Sequence, residues 1–298
     1  MGYKVEKVKF PCGGEYCSGL LYLPSGDGPF PGVVMAGGLG IVKEIHADDY
    51  AGYWASRGVA VLSFDYRRLG ESEGEPRLAI YPEDQLADYR CAIRYMRGRE
   101  EVDGDRICLW GTSFSGAHVL SLLLFPPRGV RCGVAQVPIV YMHKTLEMHH
   151  GSISPLLWLA EEAREECCRG EYGKAVIPIA SQNPPGLITS GEAVEYYMEQ
   201  ASRYKTMENK VTIDSLDRII GYNPGYQAEL VSKPILFIVA ERDKTVPTGD
   251  VIEVASKVKV DKRLVRYMAG HYDVYKDPLK IDVAKLELEW YKIHLEES

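Results

Sequence analysis

Apolar positions along this chain fall into two alternating patterns. Residues 3–10 and 17–23 alternate at period two and are joined by Pro11 to Tyr16, which predicts an antiparallel hairpin at a sheet edge. Gly32–Ala36, Val59–Phe64, Ile107–Trp110, Cys132–Val137, Pro234–Ala240 and Arg263–Met268 are short apolar runs that read as buried strands. Between them, Ala47–Arg57, Asp84–Arg97, Gly249–Val258 and Leu279–Leu295 carry helical spacing. In Asp84–Arg97, Leu86, Tyr89, Ala92, Ile93 and Met96 share one face. Strands that alternate with helices imply βαβ units and a mainly parallel sheet flanked by helices, the α/β class.

The pattern changes between Ile139 and Tyr226. Helical stretches dominate there (Leu156–Arg169, Glu192–Tyr204, Ser215–Ile220), with one candidate strand at Ala175–Ala180. This predicts a mostly helical cap inserted over the carboxyl edge of the sheet. The expected organisation is a core of residues 1–138, a cap of 139–226 and the rest of the core at 227–298.

Composition narrows the function classes. The 298 residues are 46% hydrophobic and 26% charged, ordinary for a globular protein with a core of its own. The net charge of −7 argues against a nucleic-acid surface, which needs clustered Lys and Arg. No apolar run is long enough to span a bilayer, and the N-terminus lacks the apolar segment of a signal peptide. The seven cysteines read as reduced thiols acting as small hydrophobes, with Cys12–Cys17 as the alternative pair across a hairpin turn. A cytoplasmic protein without a membrane partner is expected, with self-association into a homo-oligomer left open.

The densest chemical signal is Arg106 to Leu124. An apolar strand runs into Gly111-Thr112-Ser113-Phe114-Ser115-Gly116 and then into helical spacing at Val119, Leu120, Leu123 and Leu124. A serine between strand and helix, with glycines on both sides, is the context of a nucleophile elbow. The turn strains the serine backbone, so small neighbours must let strand and helix pass closely. The usual elbow is Gly-x-Ser-x-Gly, whereas here Ser115 takes the fifth position and the glycine arrives one residue late. A second glycine-rich turn, Gly37-Gly38-Leu39-Gly40, follows another strand. It does not fit Gly-x-Gly-x-x-Gly and lacks the Lys-Ser/Thr ending of a P-loop, so nucleotide readings are disfavoured.

Three polar residues then sit at three strand ends in the order Ser113, Asp243, His271, the chain order of an α/β-hydrolase triad. A serine hydroxyl needs a neutral imidazole to take its proton, and the imidazolium needs a buried carboxylate to hold its tautomer. Asp273 is a competing acid two residues past His271. Asp65 also ends a strand and is expected to brace the Arg67-Arg68 loop.

On these stretches, together with Phe64 to Gly74, Ala240 to Pro247 and Gly270 to Tyr275, the chain resembles α/β-hydrolases. It is similar to the dienelactone hydrolase-like and Xaa-Pro dipeptidyl-peptidase-like esterases. The resemblance implies an oxyanion hole made by the backbone N–H groups of Phe114 and Leu39. It also implies hydrolysis of small or medium carboxylic esters through an acyl-serine, on a small-molecule ester substrate.

Gly38 lies in the oxyanion turn and His46 just after it, and both are candidates to touch substrate. The cap is rich in aromatics and Met (Tyr141, Met142, Met148, Trp158, Tyr196, Tyr197, Met198), which suggests an apolar acyl pocket with Tyr141 and Trp158 among its walls. The alternative is that these side chains only dock the cap. His118 is expected to be packed. His149-His150 are adjacent and make a poor metal pair, and no metal motif or cofactor signature is present. Thioester hydrolysis, peptide cleavage or acyl transfer on the same triad, and a non-catalytic binding module, are the competing readings.

Overall fold

Gly13 and Gly14 both take positive φ (63° and 89°), the pair of left-handed residues that a tight hairpin turn demands. They fold β1 (Tyr3–Cys12) back along β2 (Glu15–Pro24) in antiparallel register. In the computed structural model, which describes residues 2–171, 173–184 and 186–296 (the side chains of residues 48 and 49 excepted), this hairpin forms one edge of an eight-stranded sheet. The other strands are β3 (Phe30–Ala36), β4 (Ala60–Phe64), β5 (Val102–Thr112), β6 (Val130–Gln136), β9 (Ile235–Ala240) and β10 (Lys262–Tyr267). Their order is β1-β2-β4-β3-β5-β6-β9-β10, parallel from β4 onward. The α/β class and the mainly parallel sheet expected from the apolar runs are therefore present.

Helices cover both faces. After β3 the chain forms α1 (Glu44–His46), a π-helical turn (Ala47–Ala51) and α2 (Gly52–Ala55), where spacing predicted one helix over 47–57. Then come α3 (Pro82–Arg97) and α4 (Phe114–Leu122). The insertion between β6 and β9 holds α5 (Met142–His150), α6 (Ser154–Cys168), α7 (Gly191–Arg203) and α8 (Leu216–Gly221). Last are α9 (Thr248–Lys257) and α10 (Leu279–Leu295). α2 and α10 meet on one face of the sheet, with Trp54 donating to the Ala284 carbonyl at 3.0 Å. α3 and α4 lie together on the other. Every residue of β9 is buried, as a central parallel strand between two helical layers requires.

The insertion also carries a two-stranded ladder, β7 (Val176–Pro178) with β8 (Lys210–Thr212). β8 and α5 escaped the sequence reading, because three residues are too few to show a period and α5 is interrupted by polar His and Lys side chains.

The cysteines correct an expectation. Cys12 is bonded to Cys91 of α3, and Cys108 to Cys132 across β5 and β6, while Cys17, Cys167 and Cys168 are free thiols. In the hairpin register Cys17 stands opposite Phe10 and Cys12 opposite Glu15, so the Cys12–Cys17 alternative is not realised. Cys108 and Cys132 are register partners, with Cα atoms 4.8 Å apart. The cysteines thus give no argument for a reducing compartment. Among the described residues, no helix is long and apolar enough to cross a membrane.

Candidate active site

Ser113 sits between β5 and α4 with φ 54° and ψ −116°, a left-handed strain rarely accepted by a side-chain-bearing residue. Its neighbours explain how the strain is held. The Ser113 N–H donates to the Gln136 carbonyl at 2.8 Å, and the Ile139 N–H donates to the Ser113 carbonyl at 3.0 Å. A Cβ at Gly111 would lie 2.1 Å from the Ser115 carbonyl oxygen, and one at Gly116 would lie 2.8 Å from Pro138 Cβ. Both positions must therefore be glycine for strand, turn and helix to pass.

Ser115 is no mere substitute for the missing glycine. Its hydroxyl donates to the Gly37 carbonyl and accepts from the Tyr66 hydroxyl at 2.7 Å. The glycine-rich turn after β3 is thereby tied to the first turn of α4. Gly38 approaches so closely that a Cβ there would lie 3.1 Å from Ser113 Cβ. The Leu39 carbonyl accepts from the Tyr197 hydroxyl at 2.6 Å. Phe114 opens α4, so its N–H has no intrahelical acceptor.

His271 is 1% exposed, and its Nδ1 lies 2.7 Å from Asp243 Oδ2. A carboxylate can only accept, so Nδ1 carries the proton and Nε2 keeps its lone pair. The other Asp243 oxygen accepts the Thr245 and Val246 N–H groups, each at 2.7 Å. Asp273 turns elsewhere: its carboxylate accepts the Gly270 N–H at 2.7 Å. Of the two competing acids, Asp243 is the one on the ring.

Ser113 and His271 line one narrow cavity, together with Gly38, Ile41, His46, Tyr196, Tyr197, Tyr272 and Tyr275. The serine hydroxyl and the imidazole share this cavity without a hydrogen bond between them. An imidazole anchored at Nδ1 beside a hydroxyl held off a strained turn can take that proton at Nε2.

The structure brings Gly38 and His46 to this cavity but not Tyr141 or Trp158. Tyr141 is buried against Gly225 and Tyr226, so it ties the two ends of the insertion together. Trp158 is 73% exposed and lines a separate depression with Ser154, Leu157 and Glu161. The aromatic residues of the insertion that do reach the cavity are Tyr196 and Tyr197 of α7. A composition argument could nominate the aromatics of the insertion but could not choose among them.

Sequence reasoning missed Lys43. Its ammonium is fully buried, 2.8 Å from both Asp65 and Glu71 and 2.9 Å from Glu44. Burial opposes its charge, but the three carboxylates hold its pKa above the ordinary lysine range. Asp65 Oδ1 also accepts the Lys43 N–H at 2.7 Å. Asp65 therefore braces the segment after the glycine turn through Lys43 and, as expected, its own loop through the Glu71 N–H at 3.0 Å, while the Arg67 and Arg68 side chains pair with Asp88 and Asp84. His118 is buried and bonded to Tyr222 (2.8 Å) and Gln85 (2.9 Å). His149 and His150 face Thr245 and Leu187 carbonyls, and no metal-holding cluster occurs among the described residues.

Comparison with known proteins gives these features a context. A family model described as "Esterase FrsA-like" matches residues 1–151. Quorum-quenching protein AidA of Acinetobacter baumannii is 29% identical over 90% of this chain and 88% of its own length. Thiohydrolase aneE of Aspergillus aculeatus is 27% identical over 84% of this chain and 80% of its own. The crystal structure of the α/β-hydrolase GrgF from Penicillium sp. sh18 superposes with a TM-score of 0.84. It covers 98% of this chain and 99% of the other at 24% identity, which shows the fold.

Proposed function

Because the chain belongs to the FrsA-like esterase family, we propose that it is a serine hydrolase of carboxylic esters with small or medium acyl groups. Ser113 is the nucleophile, His271 the base and Asp243 the acid that orients it. The observation that carries this reading is the strained Ser113 sharing a cavity with an imidazole whose far nitrogen is bonded to a buried carboxylate.

Ser113 Oγ attacks the acyl carbon as its proton passes to His271 Nε2. The negative charge that develops on the carbonyl oxygen is met by the N–H groups of Phe114 and Leu39, typically the largest single contribution to such a rate. Gly38 leaves room beside Ser113 for the tetrahedral centre. The imidazolium, stabilised by Asp243, then protonates the departing alkoxide. A water, deprotonated by the same imidazole, releases the acid and regenerates the serine. The insertion serves as a cap, with Tyr196 and Tyr197 excluding solvent from the cavity.

Thioester hydrolysis is the second reading, favoured by the likeness to a thiohydrolase over most of both chains. Labelling with a fluorophosphonate, followed by peptide mapping, tests the common core of both. Label on Ser113, absent in Ser113→Ala, is the expected result. Label on Ser115, or none, would sink the proposal. Competition between matched esters and thioesters then separates the two readings.

A further inference from the structure

Two polar atoms beside the candidate nucleophile have nothing to bond. His46 and Tyr196 are 3% and 7% exposed, yet His46 Nδ1 and the Tyr196 hydroxyl lack any hydrogen-bond partner. Buried polar atoms in folded proteins are nearly always paired, and each exception needs a reason. Packing alone does not supply one. Around the same cavity the Tyr197 hydroxyl donates to the Leu39 carbonyl, and the Tyr275 hydroxyl bonds Thr112 Oγ1 at 2.5 Å. The fold therefore satisfies neighbouring tyrosines and leaves this one open.

Position supplies the reason. His46, Tyr196 and Tyr275 line the cavity at Ser113 and also a second, outer cavity that runs past Gln200, Arg203 and Lys276. The two residues that carry the unpaired atoms thus stand in the wall between the inner and outer spaces. They come from different elements, α1 and α7, so a shared accident of one turn does not account for both. Burial pushes His46 down to about 3, so the ring is neutral at working pH. A neutral imidazole and a phenol recognise a neutral oxygen, by donating to a carbonyl or by accepting from a hydroxyl.

We propose that His46 Nδ1 and the Tyr196 hydroxyl form an oxygen-recognising subsite between the two cavities. The preferred substrates are then acyl esters or thioesters that carry a hydroxyl or carbonyl oxygen a few bonds from the scissile carbonyl, rather than plain hydrocarbon acyl chains. The inference rests on Ser113 being the nucleophile. A site built to bond such an oxygen discriminates strongly against the analogue that lacks it, because its buried groups are then left unpaired.

The test compares four thioesters by thiol release: S-ethyl thiohexanoate, its β-hydroxy and β-oxo analogues, and S-(2-hydroxyethyl) thiohexanoate. The second and third place the oxygen on the acyl side, the fourth on the leaving group. We expect kcat/KM to rise at least tenfold for one side over the plain compound. In Tyr196→Phe and His46→Phe that ratio should fall toward one, whatever the change in absolute rate. Tyr196→Phe removes no hydrogen bond and should melt no lower than wild type, which a structural role for the hydroxyl would contradict. Equal rates on all four compounds, or a ratio unmoved in both variants, would overturn the subsite and mean that the two atoms bind only water. Fluorophosphonate labelling of Ser113 in the same preparation separates this failure from that of the hydrolase reading: label without preference removes the subsite alone, and no label removes both.

Discussion

The Ser115 hydroxyl donates to the Gly37 carbonyl, so the residue that departs from the usual elbow pattern joins the elbow to the glycine-rich turn. It is itself held by Tyr66, and it is fully buried. A glycine here would complete the sequence motif and remove the tether.

Ser115→Gly and Ser115→Ala should therefore both impair the protein. Each leaves the Gly37 carbonyl and the Tyr66 hydroxyl without this partner, at about 1–3 kcal/mol for a buried unsatisfied group. Urea unfolding should show that loss, and kcat on an activated ester should fall as the turn relaxes away from Ser113. Full activity in Ser115→Gly would mean that the tether is irrelevant.

The two acids near His271 should behave differently. In Asp243→Asn the side chain can still accept the Thr245 and Val246 N–H groups, but the imidazolium loses its counter-charge and tautomer control. A fall in kcat of about 10³–10⁴ at neutral pH is expected. Asp273→Asn can still accept the Gly270 N–H and should change kcat by less than about threefold, since Asp273 does not touch the ring. Equal losses in the two variants would count against Asp243 as the orienting acid.

His46 makes stability depend on pH. Burial among Tyr50, Trp110 and Tyr275 pushes its pKa down from 6.5 to about 3. Between those values the unfolded chain binds a proton that the folded chain refuses, so folding stability rises with pH in this window. The loss on acidification from 6.5 is about 1.4 kcal/mol per pH unit from this residue. His118, likewise held at about 3 by burial, acts in the same direction. Denaturant unfolding of His46→Phe between pH 6.5 and 4.5 should show a shallower slope than wild type by that amount.

The disulfides should be measurable as stability. Cys12–Cys91 closes a loop of 79 residues and Cys108–Cys132 one of 24. Constraining the unfolded chain over such loops is worth about 3–5 kcal/mol each. Cys91→Ala should lower the unfolding free energy by that order, and so should reduction once the chain is opened by denaturant. Identical unfolding curves with and without reductant would show that the bonds are absent in solution.

What the sequence determined alone is local. Runs of buried side chains in Ile107–Trp110 and Pro234–Ala240, and the helical spacing of Asp84–Arg97, reflect periods of a few residues, and those elements are where the periods put them. The order Ser113, Asp243, His271 was legible because each follows a predicted strand, and the carboxyl ends of parallel strands share one edge of the sheet.

What only the tertiary structure decided are pairings between distant positions. The contact of Asp243 with His271 spans 28 residues, the Lys43–Asp65 bond 22 and the Tyr197–Leu39 bond 158. The same holds for the two disulfides, for Tyr196 and Tyr197 lining the cavity in place of Tyr141 and Trp158, and for Ser115 meeting Gly37. No period in a chain carries such information. It resides in the strand order, which places β3 between β4 and β5, and in the fold of the insertion over that edge. A hydrogen bond or a closed cavity exists only once those elements are side by side.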